Sequence, residues 1–511
     1  MNEKTTVAII GAGPTGLMAA CQCIRFGLDF ILLDKKEGPT KESRALAIQA
    51  RTLEVFQQMG IAHEFTSLGY KTKAFNFYVN GKKRATIPIE DIGEGLSEFP
   101  YVLVLEQYHT EEIVYGFITQ HAKEVSWNTT VSSITESVDT ITIAYDKNDT
   151  HHQIHCKYLI GADGAKSIVR HYLNTEFHGG TYENIFFVAD LEATSKFLKK
   201  ELGVFLSRKT FAAFFPMQGK NQFRMVGILP EEFKDEHSIA FRDIESSVKE
   251  KLNIDVLFHN LNWFSVYRLH HRMAKNFSRG NIFLAGDAAH IHSPVGGQGM
   301  NTGLQDANNL VWKLWMIEVH NANKKLLNTY EEERVPFAKR LLHTTDNAFR
   351  FVSNANVFTN IFRLHIMPFI MSRVMRLKKM RRFAFLALSQ TGFHYKRMSL
   401  SQGVAGKNFS GMRFPYFFLL HKGQEINIHE FLREQSFILF SYNMSTKYIK
   451  QYDFMIHKEI ELNAYNTAAL KKAGFSDAFL CLVRPDGYIG FITIEQDKNA
   501  LDKYLQKTYF S

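Results

Sequence analysis

Uncharged, β-branched runs alternate with helical spacing in the first third of the chain. Thr6–Ile10 (TVAII) is continuously apolar, as a strand buried on both faces must be. LMAACQCIRFG then shows helical spacing and stops at Gly27, and DFILLD predicts a second strand ending at Asp34. Lys157–Arg170 (KYLIGADGAKSIVR) predicts strand, turn and helix start. So does Asn281–Ala285 (NIFLA) with its sequel, whose helix is expected near Asn301. Between these, GVFLSRKTFAAFFPM and NQFRMVGIL alternate like strands of a half-buried sheet spanning Thr181–His271, with a contribution near Phe75–Tyr101.

The turns between these elements carry the chemistry. Gly11-Ala-Gly13-Pro14-Thr15-Gly16 joins the first strand to the first helix. In that context GxGxxG is a dinucleotide fingerprint. Gly11 permits the tight turn, Gly13 lets backbone approach a pyrophosphate, and Gly16 lets helix lie close on strand. The helix N-terminus offers free N–H groups to phosphate. Asp34, followed by Lys35, sits 23 residues beyond Gly11, where an acid can hold ribose hydroxyls. This motif alone leaves NAD and FAD open. Asp163 in GADG and Asp287 after Gly286 stand at strand ends among small residues, where each can accept from sugar hydroxyls. The loop Pro294–Asn301, with Gly297, Gly299 and Met300, can bring backbone N–H groups to a flat ring, and the following helix points its positive end there.

Length and composition set the frame. A chain of 511 residues implies two or three domains, and 45% hydrophobic with 22% charged residues is an ordinary globular balance. The net charge of +10 attracts anions only mildly over this length. The one sharp basic cluster, Arg373–Arg382 (RVMRLKKMRR), reads as a solvated helix face, with membrane-surface contact as the lesser reading. Four Cys without a CxxC fit a reducing compartment. With no cleavable signal pattern and no apolar run long enough for a bilayer, a cytoplasmic protein is expected, without nucleic acid or stable membrane insertion.

The three motifs in this order resemble the class A flavoprotein monooxygenases with the p-hydroxybenzoate hydroxylase fold. Two further segments agree: SRALAIQARTLEVFQQMGI, whose Arg44 corresponds to a contact to FAD phosphate, and LVLEQYHTEEIV, whose Gln107 corresponds to a contact near the ribityl chain. LLNTYEEERVPFAKRL matches the family's helix after the flavin loop. GMRFP, FLREQSFILF and FLCLVRPDGYIGFI resemble the thioredoxin-like C-terminal domain of the phenol hydroxylase, rifampicin monooxygenase and polyketide hydroxylase branch.

The resemblance implies an α/β fold: a discontinuous Rossmann-like FAD-binding domain (1–180 and 275–340), an inserted substrate sheet (181–274, joined by 76–100), a helical connector (341–400) and a thioredoxin-like domain (401–511). It implies FAD as cofactor, NADPH or NADH as transient co-substrate, and O2. It further implies hydroxylation of a phenolic or polycyclic aromatic through a C4a-hydroperoxyflavin, and a homodimer is compatible with it. No catalytic side chain is expected beyond the flavin loop (Pro294, Gly297, Gly299). His290 and His292 are expected to pack beside the flavin, not to bind metal. Some relatives place His or Asp just after the Arg44 position to activate a phenol. Here Ala45-Leu46-Ala47-Ile48 suggests an apolar wall. Phe205, Phe214, Phe215, Met217 and Arg224 are candidates for the substrate pocket. The alternatives are a membrane-associated hydroxylase, epoxidase or reductase acting on a quinone or prenyl substrate, and a flavin-bearing interaction protein without turnover.

Overall fold

The computed structural model describes residues 3–41, 45–198, 200–208, 210–236, 238–293, 296–353, 356–497 and 499–511. Strand β1 (Glu3–Ile10) leads through the glycine turn into helix α1 (Pro14–Arg25), and β2 (Phe30–Leu33) follows. Helix α2 (Gln107–Gln120) and strand β3 (Thr150–Gly161) come next, then β4 (Ile282–Leu284), α3 (Gly299–His320) and α4 (Asn328–Ser353). The strands β4, β3, β1 and β2 lie side by side in parallel, with Val7 opposite Phe30, Ile9 opposite Ile160 and Leu159 opposite Ile282. Val7, Ala8 and Ile9 are fully buried, which is why the run shows no polar alternation. The helix α1 carries Ala19, Ala20, Cys21 and Cys23 inward, small residues that let it pack closely between α2 and α3.

The second sheet has eight strands, in the order His290–Ile291, Leu257–Ala274, Phe177–Thr194, Gln222–Ile228, Phe211–Pro216, Leu202–Leu206, Ala74–Val79 and Lys82–Pro88. The chain therefore contributes two strands, 74–79 and 82–88, well before the long insertion, and 74–79 pairs in parallel with Leu202–Leu206. Successive residues of a strand point to opposite faces. One face carries Ala189, Phe205, Phe214 and Met225 under the helix Phe241–Leu252, a closed apolar core. The other carries the cross-strand row Trp263, Asp190, Arg224 and Phe215.

Short helices between Val357 and Leu388 lie against that second face, with Leu364 and Met367 packed on Val79, Val204 and Leu206. The last quarter holds a four-stranded sheet ordered Met455–Glu459, Phe437–Tyr442, Phe479–Val483, Ile489–Thr493, in which the first pair is parallel and the others antiparallel. Buried ion pairs tie it to α3 and α4: Arg484 to Glu333, and Lys313 to Glu333 at 3.0 Å. Among the described residues no helix is long and apolar enough to cross a membrane.

Candidate active site

The glycine turn is built by exclusion. Gly11 has φ +99°, and a Cβ there would lie 2.4 Å from the Ala162 carbonyl oxygen. A Cβ on Gly16 would lie 1.7 Å from the Gly11 oxygen. Gly13 is different: nothing lies within 4 Å of where its Cβ would be, so its backbone faces open space at the head of α1. Pro14 begins that helix, and no acid sits in its first turn to compete for an anion. Asp34, 8% exposed, accepts from the backbone N–H of Ala12 and of Lys36, the latter at 2.8 Å.

Lys35 points to solvent, whereas Lys36 reaches back: its Nζ donates to the Ala12 carbonyl (3.2 Å) and lies 3.5 Å from Glu111. Glu111 is buried on α2, accepting from Thr40 N (2.8 Å) and from Gln107 Nε2 (2.9 Å). Gln107 Oε1 in turn accepts from Ala45 N at 3.1 Å. Sequence reading reached Gln107 but not Lys36 or Glu111. The only signal was the spacing of Glu111 one helical turn beyond Gln107. Arg44 and Pro294 lie outside the described residues.

The second turn is a helix cap with a spare lone pair. Asp163 Oδ2 accepts from Ile168 N at 2.6 Å, and Ser167 caps the same helix through Arg170 N. Asp163 Oδ1 is buried and has no partner in the protein. Burial raises this carboxyl above its ordinary range, a cost that a ligand hydroxyl donating to Oδ1 would offset.

The third turn wraps Thr15. Cβ atoms on Gly286 (φ +60°) and Gly303 would lie 2.5 and 2.2 Å from Thr15 Oγ1, so the first and third motifs interlock through glycine. Asp287 is exposed on the one-turn helix Gly286–Ala288. Beneath it, Asp306 accepts from Gly286 N (3.0 Å), His290 Nε2 (2.8 Å) and Arg334 Nε (2.6 Å). Burial opposes ionisation of Asp306, but Arg334 and His290 hold its carboxyl below the ordinary value. His290 is thus fixed from below. His292 is fixed separately, through Nδ1 to the Ser293 carbonyl at 2.8 Å, and burial keeps its ring neutral down to about 4.

Helix α3 begins at Gly299, two residues before the expected start. Its Asn301 is a three-way clamp: Oδ1 accepts from Gln49 N (2.9 Å), and Nδ2 donates to the Ala47 and Gly297 carbonyls (both 2.8 Å). Gly297 has φ +60°, and a Cβ there would lie 2.6 Å from Ala47 Cβ. Met300 packs against the main core. Of the segment Ala45–Ile48, Ala47–Ile48 forms a short strand paired with Leu103–Val104.

Next to this clamp is a small apolar cavity lined by Gln49, Phe75, Ile89, Tyr101, Phe385 and Ser389, among others. Gln49 Nε2 holds the Gly296 carbonyl (3.0 Å) while its Oε1 is buried and unpartnered. Burial and Glu98 push the Tyr101 hydroxyl up to about 12, so it is a donor at neutral pH. Of the residues expected in the pocket, Phe215 and Arg224 share the sheet face turned away from the Phe241–Leu252 helix. Arg224 is held by Asp190 through two bonds of 2.6 Å. Phe205 and Phe214 lie on the opposite face, in the core under that helix, because strand alternation sends Phe214 and Phe215 apart. Met217 sits at the end of its hairpin, with its N–H bonded to the Gln222 carbonyl. Gln49 and Phe385 escaped sequence reading, and Phe75 and Tyr101 were reached only as the ends of a contributing segment, since only the fold brings these four positions together.

Comparison with known proteins follows the same lines. Residues 4–345 match the family described as the FAD binding domain. A flavin-dependent monooxygenase of Mycobacteroides abscessus is 30% identical over 513 residues, covering 97% of this chain and 98% of the relative. A pentachlorophenol 4-monooxygenase of Sphingobium chlorophenolicum is 31% identical over 355 residues, 67% of this chain and 64% of the relative. The solved structure of an anhydrotetracycline hydroxylase from Streptomyces rimosus superposes with a TM-score of 0.81 at 25% identity, covering 99% of both chains. The glycine turn open at Gly13, the spare oxygen of Asp163 and the clamped loop before α3 fit FAD, and the chain belongs to the FAD-binding-domain family of flavin-dependent monooxygenases.

Proposed function

We propose that this protein uses FAD, NAD(P)H and O2 to hydroxylate a phenolic or polycyclic aromatic compound. The observation that supports the substrate class is the lining beside the Asn301 clamp: aromatic and aliphatic walls with one unpartnered acceptor, Gln49 Oε1, and the protonated Tyr101, around a space of about 10 Å³ that must widen to admit a ring. The names of the relatives, a chlorinated phenol hydroxylase and an anhydrotetracycline hydroxylase, support the same class.

The cofactor would be held by Gly11, Gly13, Pro14, Thr15 and Gly16 at its phosphates, by Asp34 at the adenosine ribose, and by Gln107, Asp163, Gly286 and Asp287 along the chain between the rings. Gly297, Gly299, Met300 and Asn301 would border its flavin, with Arg44 and Pro294 assigned by resemblance. Bound FAD supplies hydride acceptance from NAD(P)H and the transfer of one oxygen atom from O2 to an electron-rich ring. The protein's own share is geometric. Asn301 fixes the loop, Ile89 and Val102 keep one wall apolar, and Phe75 and Phe385 exclude water from the reacting face. Gln49 Oε1 accepts from a substrate hydroxyl and so sets which ring carbon faces the cofactor. Among the described residues that line the cavity there is no carboxylate or imidazole to remove a phenolic proton, which favours a substrate that is already electron-rich.

The domain reading follows. Segments 1–180 and 275–340 form the cofactor domain, 181–274 with strands 74–88 the substrate sheet, 341–400 the connector and 401–511 a thioredoxin-like domain. The order of the last sheet, with its central first strand parallel to one neighbour and antiparallel to the other, supports that last assignment. Residues 401–511 contain the single Cys481, buried in that sheet, so this domain packs and does not exchange disulfides. All four cysteines are free and buried, which agrees with a reducing cytoplasm.

The test is NADPH and NADH oxidation by the purified protein against phenols, hydroxybenzoates and polycyclic aromatics, with oxygen uptake and product mass. Oxidation stimulated by one ligand, with a product heavier by one oxygen atom, is expected. A flavin-loaded protein that no aromatic stimulates, but a quinone or prenyl compound does, would overturn the substrate class.

A further inference from the structure

The charge of this chain is not spread evenly. Residues 347–424 contain thirteen Lys and Arg and no Asp or Glu, more than the whole-chain excess of ten. Within that stretch, residues 361–383 present eight of the large apolar side chains that the described residues expose, six of them on the helices Phe362–Ile366, Met367–Val374 and Lys378–Leu388. Phe369 is 58% exposed, Leu377 59% and Phe383 68%. Arg373, Arg376, Lys378, Lys379 and Arg382 are exposed among them, and Arg373 lies over the Phe369 ring at 4.7 Å. Contiguous exposed apolar surface on a folded protein marks an interaction site. Here it is interleaved with cations, and the segment itself carries no carboxylate, the composition of a helix that lies in a lipid headgroup layer.

We propose that this helical segment docks the protein peripherally on an anionic membrane surface, with Phe369, Leu377 and Phe383 entering the headgroup region and Arg376, Lys378 and Lys379 on the lipid phosphates. A second copy of the chain is the poorer occupant. A two-fold interface would set this patch against itself, cation facing cation, at distances where salt does not screen the repulsion. The inner side of the same segment gives the docking a use. Phe385 and Leu388 line the cavity beside the Asn301 clamp, and Arg363 holds the Ser207 carbonyl at 3.1 Å, so the segment is a wall between the outer surface and that cavity. An apolar substrate dissolved in lipid would then reach the cavity without crossing water. This use rests on the proposed function, but the docking itself does not.

The experiment is co-sedimentation of the FAD-loaded protein with vesicles of phosphatidylcholine alone and of three parts phosphatidylcholine to one part phosphatidylglycerol, read without turnover. Binding to the anionic vesicles only is expected, falling steeply from about 0.1 to about 0.5 M salt. The variant Arg376→Glu/Lys378→Glu/Lys379→Glu should partition at least about tenfold less, as the loss of several surface cations requires. Phe369→Ser/Phe383→Ser should also lose binding, with flavin content and ligand-free NAD(P)H oxidation unchanged, which shows that it folds. Equal binding by the wild type and both variants, or no binding to anionic vesicles, would overturn the proposal. So would a wild-type dimer in solution that Phe369→Ser/Phe383→Ser converts to monomer, since the patch would then be a subunit interface.

Discussion

Two buried polar regions lie within the same molecule and differ in how completely they are paired. Where the C-terminal sheet meets α3 and α4, Arg484 bonds both Glu333 and Asp486, Lys313 bonds Glu333 and Asn309, and Asn309 bonds Glu333. All of these side chains are buried, and every charge among them has an opposite neighbour. Around the cofactor turns, by contrast, Asp163 Oδ1, Gln49 Oε1, His292 Nε2 and Ser293 Oγ are buried without a protein partner. A buried polar atom left unpaired costs about 1–3 kcal/mol, so a fold keeps several together only where something else completes them. In the first region the chain itself pairs every charge, and the pairs join parts of it. The second leaves acceptors that a bound ligand would complete.

The comparison breaks first at the paired region. Arg484→Met should cost about 3–5 kcal/mol, because Glu333 and Asp486 would stay buried with too little positive charge. The expected readout is a large fall in denaturant midpoint with FAD still bound below the transition. Loss of flavin at full stability would contradict the division of labour. Acid should act on this half as well. Burial holds His429, 7% exposed, neutral down to about 4. Between about 6.5 and 4 the unfolded chain binds a proton there that the folded one does not, so stability falls as pH is lowered through that window. His429→Gln should remove up to about 3 kcal/mol of that fall, measured as the difference in unfolding free energy at the two ends of the window. An unchanged slope would mean the ring is already charged in the folded protein.

How much of this was legible in the sequence follows from what each feature depends on. The cofactor turns were legible because each is local: glycine spacing, a strand before and a helix after. Their interlock through Thr15 was not, since Gly286 and Gly303 meet it only after the strands align. Lys36 left no signal beside Lys35, because only the bend after β2 turns the first outward and the second inward. The paired region left no sequence signal, as Lys313, Glu333 and Arg484 lie far apart and each alone suggests a surface residue. The substrate sheet was legible as alternation, but alternation does not say which face is which. Phe205 and Phe214 went to the core because the helix Phe241–Leu252 covers their side. The cavity residues Phe75 and Phe385 stand 310 positions apart, beyond any local pattern.

The unpaired region offers finer tests. Asp163→Asn keeps an acceptor for Ile168 N and removes the charge. The apo-protein should keep its stability within about 0.5 kcal/mol while FAD binds at least about tenfold more weakly, the usual worth of a hydrogen bond to an ionised group. Fluorescence titration of FAD into apo-protein measures the second and thermal unfolding the first. An equal loss in both would make Asp163 a structural cap only.

The smallest effect is the most specific. Gln49→Met fills a similar volume but removes the Oε1 acceptor, so a phenolic substrate should lose one neutral hydrogen bond, about 1 kcal/mol, and its KM should rise about fivefold. The same change also removes the Nε2 bond to the Gly296 carbonyl, which would slow any substrate alike. The methyl ether of the substrate separates the two. It has no proton to give Oε1, so its KM should be the same in wild type and variant, while a loosened loop would lower kcat for both compounds. If the ether and the phenol suffer equally, Gln49 serves the loop and not the substrate, and the cavity's polarity must then come from Tyr101 and Ser389.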